Sequence, residues 1–259
     1  MRDAFGELLS ALRRARGTSQ RRLAHDAEVS PRHLSWLETG KSRPSREMVL
    51  VLGSALDLPL RDRNRLLLAA EFAPAYEETP LDDDAMSDVR HAIDLLLRAH
   101  EPHPAAVLDR AWNVTYVNRG FAALHRAITS TALRPYVRLE DGPNLVDAFF
   151  TTYAASVRNA SAVLEHMLPR LRREALREPE LARRLAQWPR AHRGREQETA
   201  RSPVVVPFEL ALGGAIARLF TTYTALGTPS DITTDEIVIE LFHPADRATK
   251  ALLATLAAD

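Results

Sequence analysis

Apolar residues at helical spacing predict five helices between residue 3 and about residue 70. The first helix repeats its apolar face at Phe5, Leu8, Leu9, Leu12 and Ala15. Gly17 follows as a stop signal, Ser45 is a typical N-cap for the fourth helix, and Pro59 opens the fifth. The chain therefore begins with an all-helical region.

An acidic stretch separates this helical region from the rest of the chain. Residues 71–84 hold six acidic residues, two prolines and no basic residue, a composition typical of linkers. A helix is predicted to resume near Ala85. It should end before the two prolines of "HEPHP" at residues 100–104, because proline blocks helix continuation.

Beyond the linker the spacing of apolar residues changes to every second position, which predicts strands. One predicted face holds Trp112, Val114 and Tyr116, and another holds Val204, Val206, Phe208, Leu210 and Leu212. Gly213-Gly214 predicts a two-residue hairpin turn, since both glycines tolerate positive φ, with a return strand from Ile216 to Leu226. A last strand is predicted with Ile237, Ile239 and Leu241 inward and with Glu236 and Glu240 outward.

Further helices are predicted at Arg119–Ala127, Asn144–Arg158, Ala160–Leu176 and Asp246–Ala257. The predicted fold class is an all-α five-helix domain followed by an α+β domain of about five antiparallel strands. Helices are inserted between the second and third strands of that sheet. The predicted domains are residues 1–72, an acidic linker at 73–84, and residues 85–259.

Composition narrows the class of protein. The 259 residues include no cysteine, which excludes disulfides and thiolate chemistry. No apolar run approaches the ~18 residues of a membrane span, and the charged, helical start is not expected to be a signal peptide. We therefore expect a cytoplasmic protein without a membrane partner.

The net charge of zero hides a segregation of charge along the chain. Residues 1–46 hold ten arginine or lysine residues against five acidic residues, a net charge of +5, so residues 47–259 sum to −5. A local positive field attracts phosphates even when the total charge is zero. The helical region is therefore expected to attract a partner that carries phosphates, a class that includes double-stranded DNA.

Residues Ser19–Leu37 meet the geometric demands of a helix-turn-helix. Ala24 supplies the small residue where the two helices cross, Val29 plugs the turn, and Ser30 caps the second helix. Leu34 and Leu37 are predicted to point inward. The outward set is then Pro31, Arg32, His33, Ser35 and Trp36. In the major groove, residues near the N-terminus of a recognition helix reach base edges.

The candidate DNA-binding residues lie on this second helix, at the start of the first, and in the basic loop after Gly40. They are Gln20, Arg21, Ser30, Arg32, His33, Ser35, Trp36, Lys41, Ser42 and Arg43. Arg32 could make a bidentate contact to guanine, worth ~1–3 kcal/mol of discrimination. The loop residues would hold the DNA backbone, and Trp36 could contact DNA or pack against the loop. The alternative is a helical hairpin that only packs and whose charges are solvated.

The pattern "SQRRLA…A.VS…LS.LE.GKSRPS" resembles the lambda-repressor-like, or XRE-type, helix-turn-helix family over residues 5–70. The resemblance implies a DNA-binding domain of five helices. One position departs from the family, which often has glycine in the turn where this chain has Glu28. A left-handed conformation at a non-glycine residue costs ~1–2 kcal/mol.

The second domain is expected to enclose an apolar interior between its sheet and its helices, the setting in which ligand cavities form. The candidate ligand-binding residues are Trp112, Tyr116, Phe121, Phe149, Tyr153, Met167, Arg172, Val206, Phe208 and Phe220, with Phe150 and Ile239 as further lining candidates. An ordinary core without a cavity is the alternative.

An XRE-type head followed by "RLLLAAEFAPAYEETPL" and "HEPHPAAVLDRAWNVTYVN" resembles regulators that have an MmyB-like ligand-binding domain. The resemblance implies a PAS-like fold, homodimerisation and a small hydrophobic ligand such as a fatty acid. Nine arginines lie between Arg170 and Arg195. Arg172 is the candidate among them for pairing with a ligand carboxylate.

No catalytic constellation emerges from the sequence, and "LGGA" lacks the lysine and the spacing of a phosphate-binding loop. His100 and His103 form a close pair, but the adjacent prolines favour a rigid turn over a metal site. The sequence therefore predicts a transcription regulator that is not an enzyme and that binds no metal or cofactor. Two alternatives stay open: a C-terminal domain that only dimerises or binds a protein partner, and an enzyme fused to a DNA-binding head.

Overall fold

A computed structural model describes residues 4–176, 178–188 and 206–258. Its contacts divide the chain into two units. Unit 1 comprises the chain up to Met86 together with Gly227–Glu236, and unit 2 comprises Ser87–Leu226 and the chain from Ile237 onward. The predicted strand start at Val204 and the arginines Arg177, Arg190, Arg193 and Arg195 lie outside the described residues.

Unit 1 opens with five helices, as the sequence predicts. They are α1 (Ala4–Ala15), α2 (Gln20–Asp26), α3 (Pro31–Glu38), α4 (Arg46–Ala55) and α5 (Leu60–Ala69). Serines 19, 30 and 45 cap α2, α3 and α4, because each hydroxyl accepts a hydrogen bond from the backbone N–H three residues later. The apolar faces of the helices pack into one core around Phe5, Leu9, Leu34, Leu37 and Leu52.

The remaining elements follow in chain order. They are α6 (Ser87–Ala99), β1 (Ala105–Leu108), β2 (Val114–Val117), α7 (Arg119–Thr129), α8 (Leu145–Phe150), α9 (Ala160–Ala175), α10 (Pro179–Gln187), β3 (Phe208–Leu212), β4 (Ala215–Thr224), α11 (Ile232–Glu236), β5 (Val238–Pro244) and α12 (Arg247–Ala258). The five strands form one antiparallel sheet in the order β2-β1-β5-β4-β3. Helices α7 to α10 lie between the second and third strands along the chain, which confirms the predicted insertion.

The β3–β4 turn is the predicted hairpin. Gly213 and Gly214 have φ angles of 52° and 89°, a conformation that glycine adopts without steric cost. Leu212 and Ala215 pair on either side of the turn. Other predictions need correction, because α8 is much shorter than the helix predicted from Asn144 to Arg158, and the sequence did not predict α10 or α11.

Unit 1 includes a segment that is distant in sequence from its other helices. The backbone N–H of Leu60 donates to the Asp235 carboxylate at 2.8 Å, and this contact caps α5, since Pro59 makes no side-chain cap. Arg61 pairs with Glu236 (Nε–Oε1 2.6 Å) and also with Glu78. The hydrogen bonds that Arg61 donates to these two carboxylates raise its pKa further above its ordinary value. The acidic stretch at 73–84 and residues 227–236 therefore pack with the helical unit.

A register shift between β1 and β2 overturns one predicted face. Val107 pairs with Tyr116, whereas Leu108 pairs with Val114, so β2 has one extra residue at this point. Such a bulge turns the side chains on its two sides to opposite faces of the sheet. Val114 packs into the core of unit 2, and Tyr116 lies instead beside Ile93 and Leu97 of α6.

The pairing of β4 sets two further faces differently from the prediction. Leu219 lies opposite Phe208, so Phe220 points to the other face, where it stacks on His243 with ring centroids 4.9 Å apart. On β5, Glu240 pairs with Tyr223 and is only 2% exposed. The prediction that Glu240 of β5 points outward is therefore wrong, because its side chain is buried.

Candidate DNA-binding surface and apolar cavity

The helix pair α2–α3 has the geometry expected of a helix-turn-helix. Ala24 is buried where the helices cross, and the backbone N–H of Val29 donates to its carbonyl across the turn at 2.9 Å. Glu28 adopts the left-handed conformation, with φ of 55°. The turn therefore contains a strained side-chain residue at a position where glycine would be relaxed.

A buried ion pair holds α3 against α1. Arg13 donates from Nε and Nη2 to the two carboxylate oxygens of Glu38, at 2.5 and 3.0 Å, and Gln20 donates to the same carboxylate at 2.6 Å. Burial acts to raise the pKa of Glu38, but the hydrogen bonds from Arg13 and Gln20 and the Arg13 charge outweigh it, so the pKa lies below its ordinary value. The sequence analysis missed this pair. The sequence signal for this ion pair is Arg13, a charged residue four positions after the buried Leu9 and therefore on the same inner face of α1.

The outer face of α3 and the loop after it expose basic side chains. Of the ten candidate DNA-binding residues, Arg21, Ser30, Arg32, Trp36, Lys41 and Arg43 are exposed, and Gln20, His33, Ser35 and Ser42 are half-buried. The Arg32 guanidinium lies over the Trp36 ring, 4.6 Å from its centroid. Because these residues are four positions apart on a helix, they share one exposed stripe.

Some candidate side chains already have internal partners. The Gln20 amide donates to Glu38, and the Ser30 hydroxyl accepts the α3 cap hydrogen bond. Arg43 lies 3.9 Å from a carboxylate oxygen of Glu71, but both side chains are more than four-fifths exposed, so the pair is weak. Within the part of the chain that the structure describes, Arg21, Arg32 and Lys41 form no ion pair.

Unit 2 encloses an apolar cavity of about 80 Å³ between one face of its sheet and helices α7 to α9. The lining side chains are Trp112, Phe121, Leu124, His125, Ile128, Leu145, Val146, Phe149, Phe150, Tyr153, Val157, Leu164, Met167, Leu171, Trp188, Phe208, Leu210, Leu219, Glu240 and Phe242. An engineered cavity of about 150 Å³ in another protein takes up benzene. The cavity here is therefore smaller than the volume that a chain-like ligand requires.

The structure places six of the ten candidate ligand residues on the cavity wall: Trp112, Phe121, Phe149, Tyr153, Met167 and Phe208. Phe150 also lines the cavity. The lining does not include Tyr116, Arg172, Val206, Phe220 or Ile239. The register of the strands turns Tyr116, Phe220 and Ile239 to the other face of the sheet. Val206 packs on the core without reaching the cavity. Arg172 is exposed, because its helical neighbour Leu171 faces inward.

Two family models match this chain, one over each part. Residues 89–256, more than half of the chain, match the family described as the MmyB-like transcription regulator ligand binding domain. The chain belongs to the MmyB-like transcription regulators. Residues 4–66 of this regulator match a helix-turn-helix domain family. It thus contains a helix-turn-helix domain followed by an MmyB-like ligand-binding domain.

Curated relatives of the regulator match over shorter stretches. A protein of Haloquadratum walsbyi, whose name describes an HTH-type transcriptional regulatory protein, is 35% identical over 102 residues, 39% of this chain and 31% of that protein. The transcriptional regulator ClgR of Mycobacterium tuberculosis is 35% identical over 60 residues, 23% of this chain and 54% of ClgR. The chain thus spans about a third to a half of the length of these relatives.

A crystal structure of the clp gene regulator ClgR from C. glutamicum is 32% identical to this chain, with a TM-score of 0.24. The match covers 27% of this chain and 86% of that chain.

Few polar groups reach the cavity wall of the regulator. His125 is buried and forms a hydrogen bond with the Tyr153 hydroxyl at 2.8 Å, and burial lowers the pKa of this histidine. The Tyr223 hydroxyl donates to Glu240 at 3.0 Å. Burial raises the pKa of Glu240 to about 7, against the opposing effects of the Tyr223 hydrogen bond and the Arg170 charge. Sequence analysis missed Glu240 as a lining residue because it assigned this glutamate to the solvent face.

Residues arranged as a metal site are absent from the described ranges, in which no group of three or more histidine, aspartate or glutamate side chains is placed to hold an ion. His100 lies beside His103 and His243, with ring centroids 5.5 and 4.9 Å apart. In the same described ranges, no helix has the length and apolar character that a membrane crossing requires.

Proposed function

We propose that α3 enters the major groove of DNA and that Arg32 reads base edges there. The observation that carries this proposal is the outward stacking of Arg32 on Trp36, on a helix whose inner face is anchored by Glu38. Stacking on the indole restricts the guanidinium while leaving its donors available, and Arg32 lies in the first turn of α3, the part of a recognition helix that reaches bases.

The remaining candidates differ in whether their polar groups already have partners within the protein. Lys41, Ser42 and Arg43 follow α3 in a loop and bind the phosphate backbone in this proposal, together with Arg21. His33 and Ser35 line the same helix as Arg32. Gln20 and Ser30 are assigned a supporting role, because their polar groups already serve Glu38 and the α3 cap.

We also propose that the regulator acts in the cytoplasm as a homodimer. Helix-turn-helix regulators commonly bind two half-sites about one helical turn apart, and a two-fold symmetric operator calls for a two-fold symmetric protein. Unit 2 is the proposed dimerisation unit. It has the antiparallel order β2-β1-β5-β4-β3 with helices between β2 and β3, which supports the PAS-like fold that the family resemblance implies.

The proposed ligand of unit 2 is a small hydrophobic molecule, a class that includes fatty acids. Support comes from the cavity of about 80 Å³ and its largely aromatic and aliphatic wall. A chain-like ligand requires a larger volume, so its binding selects an arrangement in which the helical cover has moved outward. A ligand can alter DNA binding only if its affinity differs between the two arrangements of the protein. Glu240 on the cavity wall is four positions along the chain from Glu236, which belongs to unit 1.

Operator selection from genomic fragments, with the full chain, tests the DNA proposal. Arg32→Ala should relax base preference at one operator position, at a cost of ~1–3 kcal/mol for the preferred sequence. Lys41→Ala should weaken all sequences alike and lower the salt dependence of binding by about one phosphate contact. The same uniform loss from both substitutions would contradict the assignment.

Thermal melting of the full chain with a panel of short- and medium-chain acids, alcohols and amines tests the ligand proposal. Met167→Trp places a large side chain at the cavity wall and should abolish ligand-induced stabilisation. Leu176→Trp is the control, because Leu176 is 76% exposed and lies outside the cavity. If no member of the panel stabilises the wild type, the alternative in which unit 2 only dimerises or binds a protein partner is favoured.

A further inference from the structure

Among the described residues, the wall of the apolar cavity has one carboxyl group and no arginine or lysine side chain. Glu240 is the one acidic residue among the lining side chains in the part of the chain that the structure describes, and that lining includes no arginine or lysine. The glutamate is 2% exposed. A fully desolvated carboxyl group is costly unless a donor or a cation compensates it, so its chemistry decides which ligand head group the cavity accepts.

Arg170, whose charge acts on Glu240, forms its own contacts with other side chains. Arg170 of α9 donates from Nε to Glu174 at 2.7 Å, and its guanidinium lies 3.6 Å from the centroid of the Tyr223 ring. Trp112 donates to the other oxygen of Glu174 at 2.8 Å. Arg170 is thus held by a carboxylate and two aromatic rings, and its guanidinium is not among the groups that line the cavity.

Glu240 accepts a hydrogen bond on Oε1 from the Tyr223 hydroxyl of the neighbouring strand at 3.0 Å, and Thr221 of the same strand also hydrogen-bonds to this carboxyl group. Burial raises the pKa of Tyr223, so the phenol keeps its proton and remains a donor. A carboxylate has about four lone-pair positions on its two oxygens. Glu240 can therefore accept further donors from a molecule in the cavity.

We propose that the cavity takes a ligand with an apolar body and a hydrogen-bond-donating head, an alkylammonium or an alcohol, that binds Glu240, and that it discriminates against an ionised carboxylate. This inference rests on the proposed ligand-binding function and narrows its ligand class. An ammonium head pairs with the buried carboxylate, an alcohol donates to it, and a carboxylate places like charges together where water does not screen them. Charge-assisted hydrogen bonds are among the stronger polar contacts in proteins.

Isothermal titration of the full chain with hexylamine, hexan-1-ol and hexanoate tests the proposal, because the three share one alkyl chain and differ in the head. The titrations are run at pH 8, above the pKa of about 7 that burial gives Glu240, so the glutamate is ionised. Hexylamine should bind most tightly, and hexanoate should bind about tenfold or more weakly than hexan-1-ol. Hexanoate binding as tight as that of the other two overturns the proposal.

Substitution of the glutamate supplies the second arm. In Glu240→Gln the side chain keeps its shape and its Oε1 acceptor for Tyr223 but loses its charge, so the three affinities should converge to within about threefold. Glu209→Gln is the matched control, because Glu209 is on β3, outside the cavity lining, and the ranking of the three ligands should stay as in the wild type. An unchanged ranking in Glu240→Gln contradicts the proposal, and the wild-type ranking tests it even if that variant does not fold.

Met167→Trp separates the two possible failures. If hexanoate binds best and Met167→Trp abolishes its binding, the head-group inference is wrong and the cavity is still a ligand site. If none of the three binds to the wild type, or if binding persists in Met167→Trp, both the inference and the proposed ligand site are overturned.

Discussion

Breaking the Arg13–Glu38 pair should destabilise the packing of α3 against α1. Both side chains are less than a tenth exposed, and Glu38 receives two hydrogen bonds from Arg13 and one from Gln20. Removal of one partner leaves the other charge buried with incomplete compensation, which typically costs ~3–5 kcal/mol. We therefore expect Arg13→Met and Glu38→Leu each to lower the free energy of unfolding of unit 1 by about that amount.

The double substitution should recover much of the loss. Arg13→Met with Glu38→Leu removes both charges and leaves apolar side chains in a buried position, an exchange that is often neutral or stabilising in other proteins. A double-mutant cycle by urea unfolding, with hydrogen exchange of peptides from α1 and α3 to localise the change, measures the coupling. Arg22→Met is the control, because Arg22 and Asp26 form an exposed pair at i,i+4, which is expected to contribute only ~0.3–0.5 kcal/mol.

The same pair predicts a direction for the acid dependence of stability. The pKa of Glu38 is lower in the folded protein than its ordinary value. A depressed folded-state pKa contributes stability that is present above the unfolded-state pKa and is lost as the pH falls through the folded-state pKa. The stability difference between wild type and Glu38→Leu should therefore shrink in acid. If the double variant loses as much as the two singles together, or if that difference is independent of pH, the reasoning about this ion pair is refuted.

Three further substitutions test the packing of the fold by thermal and chemical unfolding. Glu28→Gly should stabilise unit 1 by about 0.5–1 kcal/mol, since it relieves the backbone strain at φ 55° but adds unfolded-state entropy. Glu28→Ala should give no gain in stability, and an equal gain from both substitutions would argue against strain at this position. Gly120→Ala should destabilise unit 2 by ~1–3 kcal/mol despite the helix propensity of alanine, because the alanine Cβ would lie 2.4 Å from the Pro102 carbonyl oxygen. A gain in stability would contradict that close approach. Asp235→Ala should lower the free energy of unfolding by ~0.5–2 kcal/mol. It should also speed hydrogen exchange in the first turn of α5, where the Asp235 carboxylate caps the backbone N–H of Leu60. Unchanged exchange in that turn would mean that the cap is unimportant.

Local signals made the helical head and the β3–β4 turn predictable from the sequence. Ser30 and Ser45 cap helices where the sequence places them, and Gly213-Gly214 forms the expected turn. Each of these features depends on residues only a few positions apart, which a single sequence displays directly. The left-handed conformation of Glu28 was likewise visible as a departure from the glycine that the family often has there.

Side-chain faces in unit 2 depended on pairing between distant strands, which spacing along one strand does not reveal. One extra residue in β2 moved Tyr116 to the far face, and the ladder between β4 and β5 brought Glu240 beside Tyr223. A buried carboxyl group looks in sequence like an ordinary polar position of a half-exposed strand. The cap that Asp235 gives to α5 has the same origin, since 175 positions separate it from Leu60.

In the proposed mechanism, occupancy of the apolar cavity alters the affinity of the protein for DNA. The direct measurement is the Kd of the full chain for its selected operator, by fluorescence anisotropy, with and without saturating hexan-1-ol. We predict a change of about fivefold or more in the wild type and none in Met167→Trp. The same Kd with and without the alcohol, while titration shows that the cavity is filled, would contradict the account.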